Sequence, residues 1–286
     1  MRIPTVEWQV AGACNYDCSY CIQSPRYRRG RPHRDQLARA ITAFAELPGR
    51  WEIKCSGGEA FAHPLFLDVV VPELMAKTSH AISVLTNFSA SRSELMRFVQ
   101  LTRGRLAVFS ASLHLEFTTV DDFAAKAAWF VLLLDRDVRF VVNQVVLPGR
   151  EAEAAACRDV IEGHGLRWFP QLYKVDGGVA DYPRPDALIP LIGKRPTPRD
   201  ANIAPSYRGR TCWSGVDYVI VDKDGDAWAC RTAKRYGEGA LGNIFDGSLS
   251  RRTEPGPCGY DICPCTVPAN RGMIEGITGA MLPEAE

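Results

Sequence analysis

The sequence has no long apolar run and no excess of charge of one sign. No stretch of 18 or more apolar residues occurs, and the N-terminal "MRIPTVEWQV" lacks a basic segment followed by an apolar one, so neither membrane insertion nor export is indicated. With 34 Lys and Arg against 33 Asp and Glu, the net charge is +1, which provides no electrostatic footprint for nucleic acid. We therefore expect a cytoplasmic protein that binds neither nucleic acid nor membrane.

The sequence contains ten cysteines, and their spacing indicates a function for most of them. In a reducing compartment they are not expected to form disulfides, and clustered spacings indicate metal binding or catalysis. Eight of the ten fall into two groups, one near each end of the chain. The first group is Cys14, Cys18 and Cys21, and the second is Cys212, Cys230, Cys258, Cys263 and Cys265. Cys157 is expected to pack in a helix, and Cys55 to be a buried core thiol unless it faces a substrate.

Apolar runs of strand character alternate with longer segments of helical character. The predicted strands cover 4–10, 51–55, 81–86, 105–112, 138–147 and 167–173, and the predicted helices cover 35–47, 64–77, 91–102, 119–134 and 151–163. Parallel strands need helical crossovers of this length, so the fold class is α/β. A partial (β/α)6 TIM-like barrel fits best, with a doubly wound sheet as the alternative.

The amino-acid composition of the chain changes after about residue 175. Residues 176–211 are rich in Pro, Gly and Arg and are predicted to be a connector. The segment "CWSGVDYVIVDKDGDAWAC" that follows has two apolar runs joined by Asp-Lys-Asp-Gly, which predicts a β-hairpin between Cys212 and Cys230. We therefore expect a barrel over 1–175 and a small cysteine-rich module over 212–286.

The first cysteine group has the spacing C-x3-C-x2-C and no fourth ligand nearby. Structural zinc sites close all four positions, whereas a cubane held by three thiolates leaves one iron open for a small molecule. A zinc knuckle or the remnant of a disulfide are the alternatives. With Tyr20 before the third cysteine and Gly57-Gly58-Glu59 after the second strand, the chain resembles the radical S-adenosylmethionine (SAM) superfamily.

The resemblance implies a SAM molecule bound to a [4Fe–4S] cluster on Cys14, Cys18 and Cys21. Tyr20 would pack near the adenine, and Gly57, Gly58 and Glu59 would meet the methionine amino group. Contacts to ribose and carboxylate fall in relatives on the segment that contains Ser110, Ser112 and His114, although buried serines bonded to backbone are equally compatible with the sequence. Polar residues predicted to face the barrel interior are further candidates for contacts with the cofactor or substrate, namely Glu7, Gln9 and Asn143.

The second cysteine group, followed by "LGNI" at 241–244, resembles the SPASM/twitch modules that hold auxiliary iron–sulfur clusters. Seven cysteines are typical of a full SPASM module, so five favour the shorter twitch form with one auxiliary [4Fe–4S] cluster. We expect Cys212, Cys230, Cys263 and Cys265 to be its ligands, which leaves Cys258 spare. A zinc site is the alternative.

The resemblance also implies hydrogen abstraction by a 5′-deoxyadenosyl radical, with electrons from a donor such as flavodoxin or ferredoxin. We expect the substrate to be a sugar or cyclitol of natural-product biosynthesis, epimerised with Cys258 as hydrogen-atom donor and with Glu7 as a catalytic carboxylate. Oxidation of a carbinol to a ketone, with the auxiliary cluster as electron acceptor, is the first alternative. Modification of a ribosomal peptide is the second, and a non-enzymatic iron–sulfur carrier is disfavoured because it has no need of the GGE motif.

Overall fold

A computed structural model describes residues 2–23, 28–175, 178–192, 206–261, 263 and 267–276 of the chain. Six strands and the helices between them form its N-terminal part. They are β1 (Thr5–Ala11), α1 (Arg34–Ala45), β2 (Glu52–Gly57), a π-helical turn (Phe66–Val70) that continues into α2 (Val71–Lys77), β3 (Ala81–Thr86), α3 (Arg92–Thr102), β4 (Leu106–Leu113), α4 (Val120–Val131), β5 (Arg139–Val146), α5 (Glu151–Gly163) and β6 (Trp168–Leu172). All eleven predicted segments are present, and their ends are shifted by three residues or fewer.

The six strands are parallel and neighbour one another in chain order from β1 to β6. In a doubly wound sheet the order of the strands along the sheet reverses at an internal strand. The sequential order excludes that alternative and confirms the partial α/β barrel.

The outer face of the sheet is apolar because it packs against the helices. Trp8 on β1 and Phe44 on α1 meet edge to face with ring centroids 5.1 Å apart. Cys55 and Cys157 both belong to this core, so Cys55 points away from the barrel interior. Since side chains alternate along a strand, the inner face is formed by the other set of residues, and that set is largely polar.

The C-terminal part adds short elements around the barrel. They are β7 (Lys174–Val175), β8 (Gly178–Val179), α6 (Pro185–Ile192), β9 (Thr211–Cys212), β10 (Tyr218–Val221), β11 (Asp226–Trp228), α7 (Arg231–Arg235), β12 (Ala240–Asn243), β13 (Gly256–Pro257) and α8 (Val267–Asn270). Strands β10 and β11 form the hairpin expected from the sequence. The turn between them is tight: Asp222 accepts hydrogen bonds from the backbone N–H groups of Asp224 and Asp226, at 2.9 and 3.1 Å.

The hairpin continues the barrel sheet. Strand β10 pairs parallel with β1, with Ile220 opposite Glu7, and the full strand order is β12-β11-β10-β1-β2-β3-β4-β5-β6. A partial barrel leaves the backbone groups of β1 unpaired on one side, and an added strand satisfies them. The C-terminal segment therefore reaches the side of the barrel that carries the first cysteine group.

Candidate functional site: a barrel cavity below three thiols

The loop after β1 carries Cys14, Cys18 and Cys21 and is fixed by backbone hydrogen bonds to the loop after β2. The N–H of Gly58 donates to the carbonyl of Ala11 at 2.8 Å, and that of Glu59 donates to the carbonyl of Ala13 at 3.0 Å. The two motifs that the sequence suggested are thus adjacent at the carboxyl ends of neighbouring strands.

Glycine is required at 57 and 58 because the two loops touch backbone to backbone. A Cβ on Gly58 would lie 2.2 Å from the carbonyl oxygen of Ala13, and one on Gly57 would lie 2.1 Å from that of Ala11. Gly57 also has a φ of 134°, which L side chains rarely adopt. The close approach that the glycines permit is, in this structure, to the cysteine loop itself.

The three thiols lie near one another. Burial raises the pKa of Cys14, and it raises the pKa of Cys18 to about 12, with the charges of neighbouring cysteines contributing to both increases. Three thiolates therefore need a compensating cation. No three His, Cys, Asp or Glu side chains among the described residues are grouped to hold a single metal ion, whereas in a cubane each thiolate binds its own iron. The donor set fits such a cluster.

Glu59 is buried, and its carboxylate accepts hydrogen bonds from the protein. Thr86 Oγ1 and the N–H of Asn87 donate to it at 2.7 and 2.6 Å, and the N–H of Phe61 donates at 3.0 Å. Burial nevertheless outweighs these contacts and raises the pKa of Glu59. The carboxylate thus joins the ends of β2 and β3, and Glu59 is not among the described residues that line the cavity.

Tyr20 and His114 form one wall beside the thiols. The hydroxyl of Tyr20 lies 2.9 Å from His114 Nδ1, and the two rings stack with centroids 5.8 Å apart. Burial lowers the pKa of His114 to about 4, so its imidazole is neutral at pH 7. Cys18 Sγ lies 3.5 Å from the same nitrogen. An aromatic surface next to the cysteines is thus available for a flat group such as adenine.

A cavity of about 600 Å³ extends from the thiols into the barrel. Its walls are the inward-facing residues of the parallel strands, at successive levels set by the strand register. Ser112 lies opposite Asn143, and Gln9 lies opposite Ser56. The sequence-predicted residues that line it are Glu7, Gln9, Cys14, Cys18, Tyr20, Cys21, Gly57, Gly58, Ser110, Ser112, His114 and Asn143.

Glu7 is held by the C-terminal segment. Its carboxylate accepts hydrogen bonds from the Tyr218 hydroxyl and from Arg231 at 2.8 Å. Burial by itself would raise the pKa of Glu7, but the charges of Arg231 and Lys54 and the two hydrogen bonds hold it well below its usual range. A carboxylate with so low a pKa is a weak base. Glu7 is therefore better suited to holding Arg231 and Lys54 in position than to accepting a proton.

Three cations at the floor of the cavity, the end away from the cysteine loop, were not predicted from the sequence: Lys54, Arg231 and Arg271. Arg271 donates two hydrogen bonds to Glu52, both at 2.7 Å, and both side chains are buried. The alternation of Glu52, Lys54 and Ser56 on β2 could have indicated a polar inward face. No local signal marks Arg231 and Arg271, which come from sequence positions far from the barrel strands.

The described cysteines of the second group gather beside the hairpin. Cys212, Cys258 and Cys263 pack in one small cluster with Tyr207, while Cys230 packs in the neighbouring cluster, and Val267 contacts both. The thiol of Cys230 accepts a hydrogen bond from the N–H of Ala233 at 3.3 Å, at the start of α7. The predicted ligand Cys265 lies outside the described residues.

Cys258, the predicted hydrogen-atom donor, packs with the other described cysteines of the second group. Its sulfur lies 3.7 Å from the carbonyl oxygen of Tyr260, and Cys212 is close enough for its charge to raise the pKa of Cys258 in addition to burial. Cys258 is also not among the described residues that line the cavity. The β9–β13 pairing holds this segment in the second cysteine group, and the role of Cys258 as donor stays a prediction.

Several solved structures share this architecture. SuiB of Streptococcus suis bound to precursor peptide SuiA has a TM-score of 0.61 and 14% identity, over 87% of this chain and 64% of SuiB. Native anSMEcpe with bound AdoMet and Cp18Cys peptide has a TM-score of 0.58 and 15% identity, over 86% and 79%. BtrN in complex with AdoMet and 2-DOIA has a TM-score of 0.52 and 13% identity, over 87% and 80%.

Sequence comparison adds one partial match. A GTP 3',8-cyclase of Stenotrophomonas maltophilia (strain R551-3) is 30% identical over 87 residues, which is 29% of this chain and 26% of the cyclase. No protein-family profile matches the chain. The structural neighbours and the cyclase are radical SAM proteins, so the chain has the fold of the radical SAM core, as its motifs predict.

No helix in the described part is long and apolar enough to cross a bilayer.

Proposed function

We propose that this protein is a radical SAM enzyme that removes a hydrogen atom from a hydroxylated small molecule held inside the barrel. The observation that carries the proposal is one continuous cavity that joins Cys14, Cys18 and Cys21 to the polar inner faces of the strands. A protein that only stores or transfers a cluster has no use for such a cavity beside its thiols.

Cys14, Cys18 and Cys21 would hold the [4Fe–4S] cluster, which together with bound SAM supplies the 5′-deoxyadenosyl radical. Tyr20 and His114 offer the flat surface for adenine, and Ser110 and Ser112 on β4, which ends just before His114, offer hydroxyls to the cavity. Gly57 and Gly58 keep the two loops in contact. The chain itself orients both ligands and excludes water around them.

An auxiliary [4Fe–4S] cluster beside the hairpin completes the proposal. Cys212, Cys230, Cys258 and Cys263 supply four thiols in adjoining packing clusters, and four thiolates are what a fully ligated cubane requires. The set expected from the sequence has Cys265 in place of Cys258; Cys258 is preferred here because it packs in one cluster with Cys212 and Cys263. Cys265 remains the alternative ligand to Cys258.

Two outcomes can follow hydrogen abstraction, and the positions of the thiols favour oxidation. Apart from Cys14, Cys18 and Cys21, no cysteine among the described residues lines the cavity, so none of the other described thiols is placed beside the substrate to return hydrogen. Oxidation of a carbinol needs an electron acceptor, which an auxiliary cluster would supply. Epimerisation is the second candidate, because five cysteines in this group exceed the four needed for one cluster.

The size of the cavity supports a small substrate. About 600 Å³ lies within the usual range for small-molecule sites, and SAM must share this space. A sugar or cyclitol fits this reading better than a folded peptide does. The structures of SuiB and anSMEcpe contain bound peptides. A peptide that inserts one side chain into the cavity is therefore the alternative substrate. A small redox protein such as flavodoxin or ferredoxin would supply the electron.

Uncoupled turnover tests the proposal. Anaerobically reconstituted protein with dithionite should form 5′-deoxyadenosine from SAM, and single Cys14→Ala, Cys18→Ala and Cys21→Ala variants should form none. Cys157→Ala is the matched control because Cys157 is packed in the core, and it should retain cleavage. Cleavage that persists in any of the three loop variants would refute the proposal.

A further inference from the structure

The cavity lining is unbalanced in charge. Among the described residues that line it, seven are lysine or arginine and one, Glu7, is acidic. The basic residues are Lys54, Arg139, Lys174, Arg231, Lys234, Arg235 and Arg271. Some of these have acidic partners behind the wall, such as Glu52 for Arg271 and Asp222 for Lys234. The described lining as a whole therefore carries more positive than negative side chains.

The positive charge lies well below the cysteine loop. Glu7 and Lys54 are paired across β1 and β2, and Ala11 at the top of β1 is four residues further along. At roughly 3.3 Å per residue the floor is about 13 Å below the loop. A SAM molecule whose methionine end is at the thiols leaves the floor to a second ligand.

Lys54 is the central cation of this floor. It is 8% exposed and lies between the carboxylates of Glu7 and Glu52 and the guanidinium groups of Arg231 and Arg271. These five side chains carry three positive and two negative charges, and each carboxylate already has an arginine partner. Among the described residues the ammonium of Lys54 has no hydrogen-bond partner, and burial lowers its pKa despite the charge of Glu7. A cation that borders the cavity is thus left without a bonded anion, and an anionic ligand would pair with it.

Unsatisfied polar atoms lie in residues of the cavity walls above this floor and beside it. Gln9 Oε1, Asn143 Nδ2 and Asn270 Oδ1 are buried and have no hydrogen-bond partner, and all three residues line the cavity. Two acceptors and one donor match hydroxyl groups, which can donate and accept. Buried polar groups are normally paired, so each of these three atoms calls for a partner from the ligand.

We propose that the substrate is a hydroxylated molecule with an oxyanionic group, a phosphate or a carboxylate, which binds at the floor against Lys54 and Arg231. Its hydroxyls then face Gln9 and Asn143, and the carbon to be attacked lies between the floor and the thiols. This inference rests on the proposed function and specifies the substrate class of the same site. The anion would complete the charge balance of the floor. Because the anionic end and the hydroxyl groups bind at different places, they fix the orientation of the substrate in the barrel.

Binding measurements on the holoenzyme test this inference. The reconstituted protein, saturated with SAM under anaerobic conditions, is titrated calorimetrically with glucose 6-phosphate, glucuronate and glucose. We expect one or both anionic probes to bind, and neutral glucose to bind at least about tenfold more weakly, because a charge-assisted hydrogen bond is lost. The phosphate and carboxylate arms distinguish the two sources of the anion.

Lys54→Met is the decisive variant because it removes the charge and keeps the length and most of the volume. It should weaken the anionic probe at least about tenfold and leave the affinity for glucose unchanged. Lys77→Met is the matched control, since Lys77 is an exposed residue of α2 paired with Glu73, and it should bind as the wild type does. Both variants should keep their thermal unfolding midpoint within a few degrees, which excludes misfolding as the cause.

The outcomes separate this inference from the proposed function. Anionic probes that bind equally to wild type and Lys54→Met, or that bind only when SAM is absent, would overturn the floor site, as would equal affinity for glucose and both anions. Those results leave 5′-deoxyadenosine formation untouched. Failure to cleave SAM would instead refute the proposed function, whatever the titrations give.

Discussion

A single methyl group at Gly58 should separate the two loops that form the cysteine site. In Gly58→Ala the new Cβ would lie 2.2 Å from the carbonyl oxygen of Ala13 and 2.3 Å from that of Gly12. Ordinary carbon–oxygen contacts are about 3.3 Å or longer, so the cysteine loop must retreat by about 1 Å. The obstacle is backbone and cannot rotate away. Gly58 is not among the residues with positive φ, so the effect measures contact alone.

We expect Gly58→Ala to reduce the free energy of unfolding by about 1–3 kcal/mol, the usual cost of forcing extra atoms into a packed site. At roughly 2–4 °C per kcal/mol for a chain approaching this size, the thermal midpoint should fall measurably. The displaced loop should also lose the proposed cluster, so the iron content should fall by about four atoms per chain while the proposed auxiliary cluster stays. Calorimetry and iron analysis of anaerobically reconstituted protein give both quantities.

Gly163→Ala is the matched control for this substitution. Gly163 is the last residue of α5, and a Cβ there meets nothing within 4 Å. Alanine favours the helix, so the control should be neutral or more stable by up to about 1 kcal/mol. A Gly58→Ala protein with unchanged midpoint and full iron content would show that the two loops are not packed as described, and the reasoning would be wrong.

Three further predictions concern the C-terminal segment. Arg271→Met should destabilise the protein by about 3–5 kcal/mol because it leaves Glu52 buried and unpaired, and adding Glu52→Gln should recover part of this loss in thermal unfolding. The charge of Arg271 and its hydrogen bonds overcome the effect of burial and lower the pKa of Glu52 from 4.5. This stabilisation is present above that value and is lost as pH falls through the lower, folded pKa, so a Glu52→Gln protein should lose less stability on acidification, as unfolding midpoints would show. Cys258→Ala and Cys212→Ala should each lose about four iron atoms and keep SAM cleavage, whereas a Cys258→Ala protein with full iron and no product would restore Cys258 as a donor.

Much of the barrel and of its upper site was predictable from the sequence because the signals are local. Strands and helices follow from alternation over a few residues and from the lengths between them. Cys14, Cys18 and Cys21 form a pattern within one loop, and the glycines at 57 and 58 directly follow a strand. Parallel strands place such loops at the same edge, so two local motifs on neighbouring strands had to meet there.

The sequence by itself therefore determined the fold class, the loop that carries the three thiols and the neighbouring Gly57-Gly58-Glu59 loop. Only the tertiary structure decided which groups complete the cavity below them. Glu7 is paired with Arg231, 224 positions away, and Glu52 with Arg271, 219 positions away. No periodicity encodes such pairings. They arise because a buried charge must find a partner and because the open edge of β1 takes up β10, which brings α7 and the second cysteine group to the barrel.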